Sequence, residues 1–148
     1  MRTKFKGQSV GRGNATTFNS KSLGGALQNT GSAFEAAGKK YGVDPILLAA
    51  IAMHETGNGT SSAVKGKNNV GGMMRRKGGL MEFGSLDEGI DAMASNLKRL
   101  YIDQGLTTIE QIQRKYAPVG AANDPTGLNK NWVNGVTKFY NMLKGVRG

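Results

Sequence analysis

The segment that most restricts the fold is a short apolar run that begins at a strong helix-start signal and ends in a carboxylate. Asp44 is followed by Pro45, which places an N-cap residue directly before a proline at the first helical position. The next eight residues, 46–53, are apolar on every side of a helix. Because a helix without a polar face must be enclosed by other elements, the sequence predicts a central, buried helix that stops near Glu55 and Gly57.

Further helices are predicted around that central helix. Ser32 with Glu35, and Ser85 with Glu88, each form the pattern of a capping box before an amphipathic run. The expected helices run from residue 32 to Gly42, from 85 to Gly105, from 108 to 115 and from 132 to Gly145. Residues 57–84 contain eight glycines and residues 117–130 contain two prolines, so both stretches are expected to be loops. We expect a short β-hairpin within the first loop, around 72–74 and 80–83, in an otherwise mainly α domain.

The first 31 residues differ from the rest of the chain. They are rich in Gly, Ser, Thr and Asn, and they carry five basic residues and no acid. Such a segment buries too little apolar surface to offset its ordering entropy. We therefore expect a flexible basic arm or linker over residues 1–31 and one folded domain over residues 32–148.

Glu55 is the candidate chemical group because of where the central helix places it. The C-terminal end of a helix carries partial negative charge, and Ile51 and Leu48 lie on the same face one and two turns back. Both surroundings disfavour the anion and raise a carboxyl pKa, which suits a group that must hold a proton near neutral pH. The alternative from the local pattern alone is an ordinary solvated glutamate at a helix end.

At these residues the chain resembles a known family. The segments AIAMHETGNGTS, KNNVGGMM, LMEFGSLDEGIDAMASNL and KYAPVG…NKNWVNGV resemble, in this order, the glucosaminidase-type branch of the lysozyme superfamily. Bacterial and phage members of that branch cut peptidoglycan. The resemblance covers residues 33–143 and implies a small lysozyme-like helical domain in which the hairpin and glycine-rich loop line a cleft.

The resemblance assigns roles to individual positions. Glu55 matches the family's catalytic glutamate, and Tyr116 matches a tyrosine opposite it that orients substrate or stabilises developing positive charge. Ser61 matches a small polar residue that follows the glutamate. Asn69 and Gly72, together with Asn68, match the turn that leads into the cleft-lining hairpin, which implies contacts with substrate. The chain departs from the pattern at Asn58, where the family often has an aromatic residue.

A second catalytic carboxylate is less clearly marked. Longer relatives supply one from the hairpin, whereas here Glu82 is the only acid in that region and does not clearly match the position. Two-carboxylate glycosidases space their acids about 5 Å apart to retain configuration and roughly 6.5–9.5 Å apart to invert it. If Glu82 lies outside the cleft, the substrate's own N-acetyl group is the alternative nucleophile, and the product is a hydrolysed end or an anhydro ring.

Other side chains have both a functional and an ordinary interpretation. Met73 either lines a sugar groove or provides adaptable packing. Trp132 either stacks on a sugar ring or packs in the core, because Val136 and Phe139 follow it at helical spacing. The single histidine, His54, either tunes Glu55 or points away from it. With no cysteine and no zinc-ligand spacing, no metal or cofactor is expected.

The predicted function is cleavage of peptidoglycan glycan strands as an endo-β-N-acetylglucosaminidase, with muramidase or lytic transglycosylase as alternatives. A non-catalytic wall-binding or phage structural module is the alternative of another class. The net charge of +10 attracts polyanions, whether nucleic acid, anionic lipid or wall polymers, and the charge alone does not choose among them. With the resemblance, anionic wall polymers are the additional partners expected. Specific nucleic-acid binding is not expected. With neither a membrane-spanning run nor a signal-peptide core, we expect an extracellular, wall or virion setting, reached through a phage or conjugation assembly.

Overall fold

The computed structural model describes residues 22–73, 78–116 and 131–144, without the side chains of residues 62 and 63. In chain order the helices are α1 (Gly31–Tyr41), α2 (Pro45–Thr56), α3 (Ser62–Lys67), α4 (Leu86–Leu100), α5 (Ile109–Tyr116) and α6 (Trp132–Leu143). Short 3-10 helices, Gly25–Leu27 and Ile102–Gln104, precede α1 and follow α4. Within these residues the domain is mainly helical, as the sequence predicts, and no helix there is long and apolar enough to cross a membrane.

Helix α2 lies at the centre of the domain, as its all-round apolar sequence predicts. Every residue from Ile46 to Met53 is buried. The side chain of Asp44 accepts a hydrogen bond from the backbone N–H of Ile46, and Gly57 ends the helix in the left-handed conformation. Both ends of α2 are therefore determined by the local signals read from the sequence.

The remaining long helices enclose α2. Helices α1 and α6 make the most extensive contacts with it, α4 packs on α1 and α2, and α5 packs on α6. At the start of α2, the buried carboxylate of Asp44 accepts a hydrogen bond of 2.7 Å from the hydroxyl of Tyr140 on α6. This bond fixes α6 along α2, so that the other end of α6 reaches the C-terminal end of α2.

The packed domain begins earlier in the chain than predicted. Leu23 and Leu27 are buried in the core, and the backbone N–H of Ala26 donates to the carbonyl of Gly59. Residues 22–31 therefore do not belong to a flexible arm, because two leucines supply enough apolar contact to hold the segment against the domain. The expectation for residues 1–21 lies outside the described residues.

Two local predictions near the helix ends are corrected. The capping box of Ser32 and Glu35 is not formed: α1 starts at Gly31, with Thr30 at the N-cap position, so Ser32 already lies inside the helix. The stretch 57–84, predicted to be a loop because of its eight glycines, contains the short helix α3. By contrast, Ser85 caps α4 by accepting from the backbone N–H of Glu88, as predicted.

The predicted hairpin region is described on both sides of residues 74–77. The backbone N–H of Met81 donates to the carbonyl of Met73 at 2.9 Å, and Leu80 forms an isolated β-bridge. Among the described residues of this region, no strand extends beyond that single bridge. The two arms are also joined by the side-chain amides of Asn68 and Asn69, which donate to the carbonyls of Phe83 and Met81. The predicted loop over 117–130 and the helix end at Gly145 lie outside the described residues.

Candidate active site

Glu55 is the penultimate residue of α2 and lies where the buried helix meets the surface. The helix behind it is fully enclosed, including Leu48 and Ile51. The Glu55 side chain is partly exposed. Burial raises its pKa above the ordinary value, and a hydrogen bond from Trp132 partly offsets that rise. The surroundings thus favour a protonated carboxyl group, as expected from the sequence.

Trp132, the first residue of α6, holds one oxygen of this carboxyl group. Its indole Nε1–H donates to Oε2 of Glu55 at 2.8 Å. The indole is only 1% exposed. Of the two interpretations of Trp132, this burial supports core packing and corrects stacking on a sugar ring, because a ring enclosed on both faces has no surface to offer a ligand. Its N–H group, which the sequence did not link to Glu55, is what reaches the site.

Tyr116, the last residue of α5, completes an aromatic row beside Glu55. Its ring lies between those of Tyr101 and Trp132, at centroid distances of 5.6 and 5.5 Å. Its hydroxyl donates a hydrogen bond of 2.6 Å to the carbonyl of Gly71. Burial raises the pKa of Tyr116 well above its usual value, and the charge of Glu55 adds to the rise, so the phenol stays protonated. The structure thus places Tyr116 near Glu55.

The glycines at 71 and 72 allow the chain to pass closely by these groups. A Cβ atom on Gly71 would lie 2.9 Å from the Tyr116 hydroxyl oxygen, closer than real side chains permit. Gly72 is exposed, has a positive φ of 65°, and lies where an added Cβ would be 3.5 Å from Oε1 of Glu55. Glycine at 72 leaves the second oxygen of Glu55 uncovered on this side.

The buried side chain of Asn69 stabilises the turn that contains Gly71 and Gly72. Its Nδ2 donates to the carbonyls of Met73 and Met81, at 2.8 and 3.0 Å, and its Oδ1 accepts from the backbone N–H of Met73 at 3.0 Å. The residue is 1% exposed. The predicted contact between Asn69 and substrate is therefore corrected, because its amide is buried and already satisfied by the backbone. Asn69 is a positioning residue for the turn that carries Gly72.

A half-open pocket lies next to this turn, with a volume of about 170 Å³. Its walls are mostly apolar and aromatic, with Asn96 as a polar group. The lining comprises Gly71, Gly72, Met73, Met93, Asn96, Leu97, Leu100, Tyr101 and Tyr116. Because Gly72 and Tyr116 also border Glu55, the pocket adjoins the carboxyl group. Met73 lines the pocket and also packs against the core, so its contact with a sugar stays a prediction.

Three other candidates from the sequence lie in different surroundings. The hydroxyl of Ser61 faces the start of α3, where it accepts from the backbone N–H of Val64 at 3.4 Å. Glu82 is exposed, and no hydrogen bond or ion pair joins it to Glu55. His54 is half-buried with its ring edge-on to Trp132, at 6.1 Å between centroids, and burial lowers its pKa. Contacts of Ser61 and Glu82 with substrate stay predictions.

The sequence did not single out Tyr101, Gly71 or Asn96. In the sequence, Tyr101 is the last of the apolar residues that recur at helical spacing after Ser85, and its position at the end of that run is the signal that it borders a surface. Gly71 adjoins Gly72, so a pair of glycines was the only indication of a close approach. In the described part of the chain, no group of three or more His, Cys, Asp or Glu side chains is placed to hold a metal ion.

A helical domain that delivers a carboxyl group from its buried helix to the edge of an aromatic-lined pocket has the architecture of a lysozyme-like protein. The model of the family described as mannosyl-glycoprotein endo-beta-N-acetylglucosaminidase, the glucosaminidase family, matches residues 31–144. The chain therefore belongs to the glucosaminidase family, which confirms the resemblance seen in the sequence.

The curated proteins that are similar to this chain include bifunctional autolysins of two Staphylococcus species. The bifunctional autolysin of Staphylococcus epidermidis is 46% identical over 55 residues, which is 37% of this chain and 4% of the autolysin. That of Staphylococcus aureus is 46% identical over 46 residues, which is 31% of this chain and 4% of the autolysin. The chain thus corresponds to a small part of these much longer proteins.

Solved structures of autolysins share the fold at low sequence identity. S. aureus autolysin E in complex with the muropeptide NAM-L-Ala-D-iGlu superimposes with a TM-score of 0.65 and 22% identity, over 84% of this chain and 66% of that one. A catalytic glutamate-to-alanine mutant of autolysin E bound to the disaccharide NAG-NAM gives a TM-score of 0.64 at 22% identity, with the same coverage of both chains. The major bifunctional autolysin gives 0.60 at 22% identity, over 99% of this chain and 69% of that one.

Proposed function

We propose that this chain cleaves the glycan strands of peptidoglycan as an endo-β-N-acetylglucosaminidase, with Glu55 as the general acid. The observation that carries the proposal is the position of the Glu55 carboxyl group. It accepts a hydrogen bond from Trp132 at the C-terminal end of α2, beside the half-open pocket. Membership of the glucosaminidase family supports the type of bond. The muropeptide and disaccharide bound to autolysin E support the polymer.

In the proposed step, the proton of Glu55 moves to the glycosidic oxygen as the bond between that oxygen and the anomeric carbon breaks. Protonation makes the sugar hydroxyl a better leaving group, which is the contribution expected of a general acid with a raised pKa. Glu55 is left as a carboxylate and takes a proton from the water that completes hydrolysis. Tyr116 stays protonated and uncharged beside it, which fits the predicted role in orienting the sugar.

The pocket beside Glu55 supports a role for the 2-acetamido group of the substrate. Its apolar and aromatic walls suit the acetamido methyl group, and Asn96 at its edge offers an amide to the acetamido polar atoms. Glu82 is exposed and is not among the described residues that line this pocket. We therefore favour the mechanism in which the acetamido oxygen of the substrate, rather than a second carboxylate, attacks the anomeric carbon.

The decisive experiment compares the wild type with Glu55→Gln on purified sacculi, measured as loss of turbidity and release of reducing ends. Glutamine keeps an oxygen that accepts from Trp132 but holds no transferable proton, so a loss of about 10²-fold or more is expected. Asp87→Asn, at an exposed acid on α4, is the control and should match the wild type. Glu82→Gln distinguishes the mechanisms, because a loss equal to that of Glu55→Gln would make Glu82 the second acid.

Mass spectrometry of the released fragments identifies the bond. Fragments that end in reducing N-acetylglucosamine are expected, whereas reducing N-acetylmuramic acid or its anhydro form would replace the proposal with a muramidase or a lytic transglycosylase. Chemically de-N-acetylated strands should be cleaved more slowly if the acetamido group takes part. Binding to sacculi without any release would instead favour a non-catalytic wall-binding module.

The bacterial wall is the proposed place of action, since the autolysin relatives are named for wall lysis. The net charge of +10 supports attraction to anionic wall polymers such as teichoic acids. A phage particle or a conjugation apparatus remains the proposed means of delivery.

A further inference from the structure

The two oxygens of Glu55 lie in different surroundings, and the difference decides where a proton can reside. Oε2 accepts a hydrogen bond of 2.8 Å from Nε1 of Trp132. An indole N–H is a donor only and has no lone pair to offer in return. In a protonated carboxyl group the carbonyl oxygen is the better acceptor, so the hydrogen bond from Trp132 leaves the proton on Oε1.

Oε1 lies on the side of the carboxyl group that faces Gly72. A Cβ built on Gly72 would lie 3.5 Å from Oε1, and among the described residues beyond its two chain neighbours no other atom would come within 4 Å of that Cβ. Gly72 is exposed, so the space that a side chain would fill is open to solvent. The oxygen that carries the proton is therefore the one that a ligand can approach.

Trp132 is held rigidly enough to make this selection. Its indole is 1% exposed, and it packs against the tilted ring of Tyr116 and the edge of His54. The imidazole in turn fits against Gly135, where an added Cβ would lie 2.3 Å from Nδ1 of His54. The 2.7 Å bond between Tyr140 and Asp44 fixes the same two helices at their other ends. The indole N–H thus has little freedom to leave Oε2.

We propose that Trp132 is a positioning residue that assigns the catalytic proton to Oε1 of Glu55, and that the bare backbone at Gly72 gives the glycosidic oxygen access to it. The inference rests on the proposed role of Glu55 as general acid. It extends that role by naming the reactive oxygen and the two residues that select and expose it.

Trp132→Phe tests the selection because it retains an aromatic ring and removes the N–H donor together with part of the buried indole. Without the N–H group either oxygen can hold the proton, and the Glu55 anion loses its hydrogen bond. We expect kcat to fall about 10- to 100-fold with little change in KM, since a misplaced reacting group costs this much. The alkaline limb of the pH profile should move to higher pH, because the hydrogen bond from Trp132 lowers the pKa of Glu55.

Phe34→Leu is the matched control for lost packing. Phe34 is fully buried in the core, so its truncation lowers stability without removing a donor from Glu55. A merely structural role for Trp132 predicts that both variants lose activity in proportion to their melting temperatures, with unchanged pH limbs. That outcome would overturn the proposal.

Gly72→Ala tests the access. The added methyl group would lie beside Oε1, so kcat should fall about 10-fold or more while the titration of Glu55 is retained. Gly105→Ala is the control for backbone strain, because Gly105 also has a positive φ, of 85°, and a Cβ there would meet no atom within 4 Å. Equal losses in both glycine variants would show that strain, and not blocked access, is responsible.

A ¹³C titration of the glutamate carboxyl groups separates this inference from the proposed function, with Glu55→Gln identifying the signal. A higher titration midpoint in Trp132→Phe than in the wild type is expected. If the wild type does not cleave sacculi but the midpoint still moves, the proposed function fails while the hydrogen-bond selection stands. An unmoved midpoint would refute the selection even if the enzyme is active.

Discussion

Glu55 shows how one residue can link catalysis and stability. Its pKa is raised by burial, and the largest opposing influence is a single hydrogen bond. The folded state therefore binds the Glu55 proton more tightly than the unfolded chain does. The contribution of this proton to stability is complete below the ordinary glutamate pKa and is lost as the pH rises through the folded value.

We predict that Glu55→Gln flattens the decrease in the free energy of unfolding as the pH rises above the ordinary glutamate pKa. Glutamine does not titrate, so this part of the pH dependence disappears. Asp44, whose pKa is also raised by burial, remains in the variant and retains its share. Urea unfolding at a series of pH values measures the effect, and parallel curves for wild type and variant would contradict it.

Two candidate residues lie inside the chain and not on its surface. Substrate contact was expected of Asn69 and was one of two interpretations of Trp132, yet each side chain is buried and hydrogen-bonded within the chain. The sequence indicated that these positions matter but not in which way. The sequence shows that an amide or an indole is present. Whether that group is accessible to a ligand depends on the side chains that pack around it.

At the scale of elements, the turn between α3 and α4 brings Gly71 and Gly72 to the site. Its described residues form no helix and no extended strand. In the part that the structure describes, the backbone N–H of Met81 donates to the carbonyl of Met73, and that of Phe83 donates to the carbonyl of Lys67 at the end of α3. The amides of Asn69 and Asn68 add one bond each across the turn, to the carbonyls of Met81 and Phe83, and Asn69 makes two more bonds with Met73 in its own arm. Side-chain amides thus supplement a sparse set of backbone bonds in holding Gly72 beside Glu55.

Asn69→Ala should lower the free energy of unfolding by about 2–4 kcal/mol, since three hydrogen bonds are lost and buried backbone groups are left unpaired. We also expect reduced kcat, because Gly72 loses its support. Asn141→Ala, at an exposed position of α6, is the control and should change stability by less than about 0.5 kcal/mol. A loss no larger than that of the control would show that the turn does not depend on Asn69.

At the scale of the whole molecule, charge is unevenly distributed along the chain. Five basic residues and no acid lie within residues 1–21, so this segment contributes half of the net charge of +10. The candidate catalytic groups lie elsewhere, in α2, α5 and α6. Attraction to the wall and cleavage of its strands are therefore expected to be separable.

We predict that replacing the five basic residues of 1–21 by glutamine weakens binding to sacculi at low salt and leaves cleavage of short soluble glycan fragments unchanged. The charges are Arg2, Lys4, Lys6, Arg12 and Lys21. Salt at about 1 M should abolish the difference in binding, because exposed charges are then screened within about 3 Å. Cosedimentation over a salt series measures it. A salt-independent difference would point to a contact other than charge.

The sequence by itself determined those features that depend on neighbours within a few positions. The start of α2 at Asp44 and Pro45, its end at Gly57, the cap at Ser85 and the position of Glu55 all follow from local hydrogen bonds and helical periodicity. Where local signals compete, prediction is wrong, as at Ser32, where Thr30 occupies the N-cap position instead.

Only the tertiary structure decided which distant residues meet. Trp132 lies 77 positions from Glu55 and Tyr116 lies 45 from Gly71, yet each pair shares a hydrogen bond. Periodicity shows that a side chain faces inward but does not name the group that it meets there. The partner depends on how the helices pack around α2, which is a property of the whole chain and not of any segment of it.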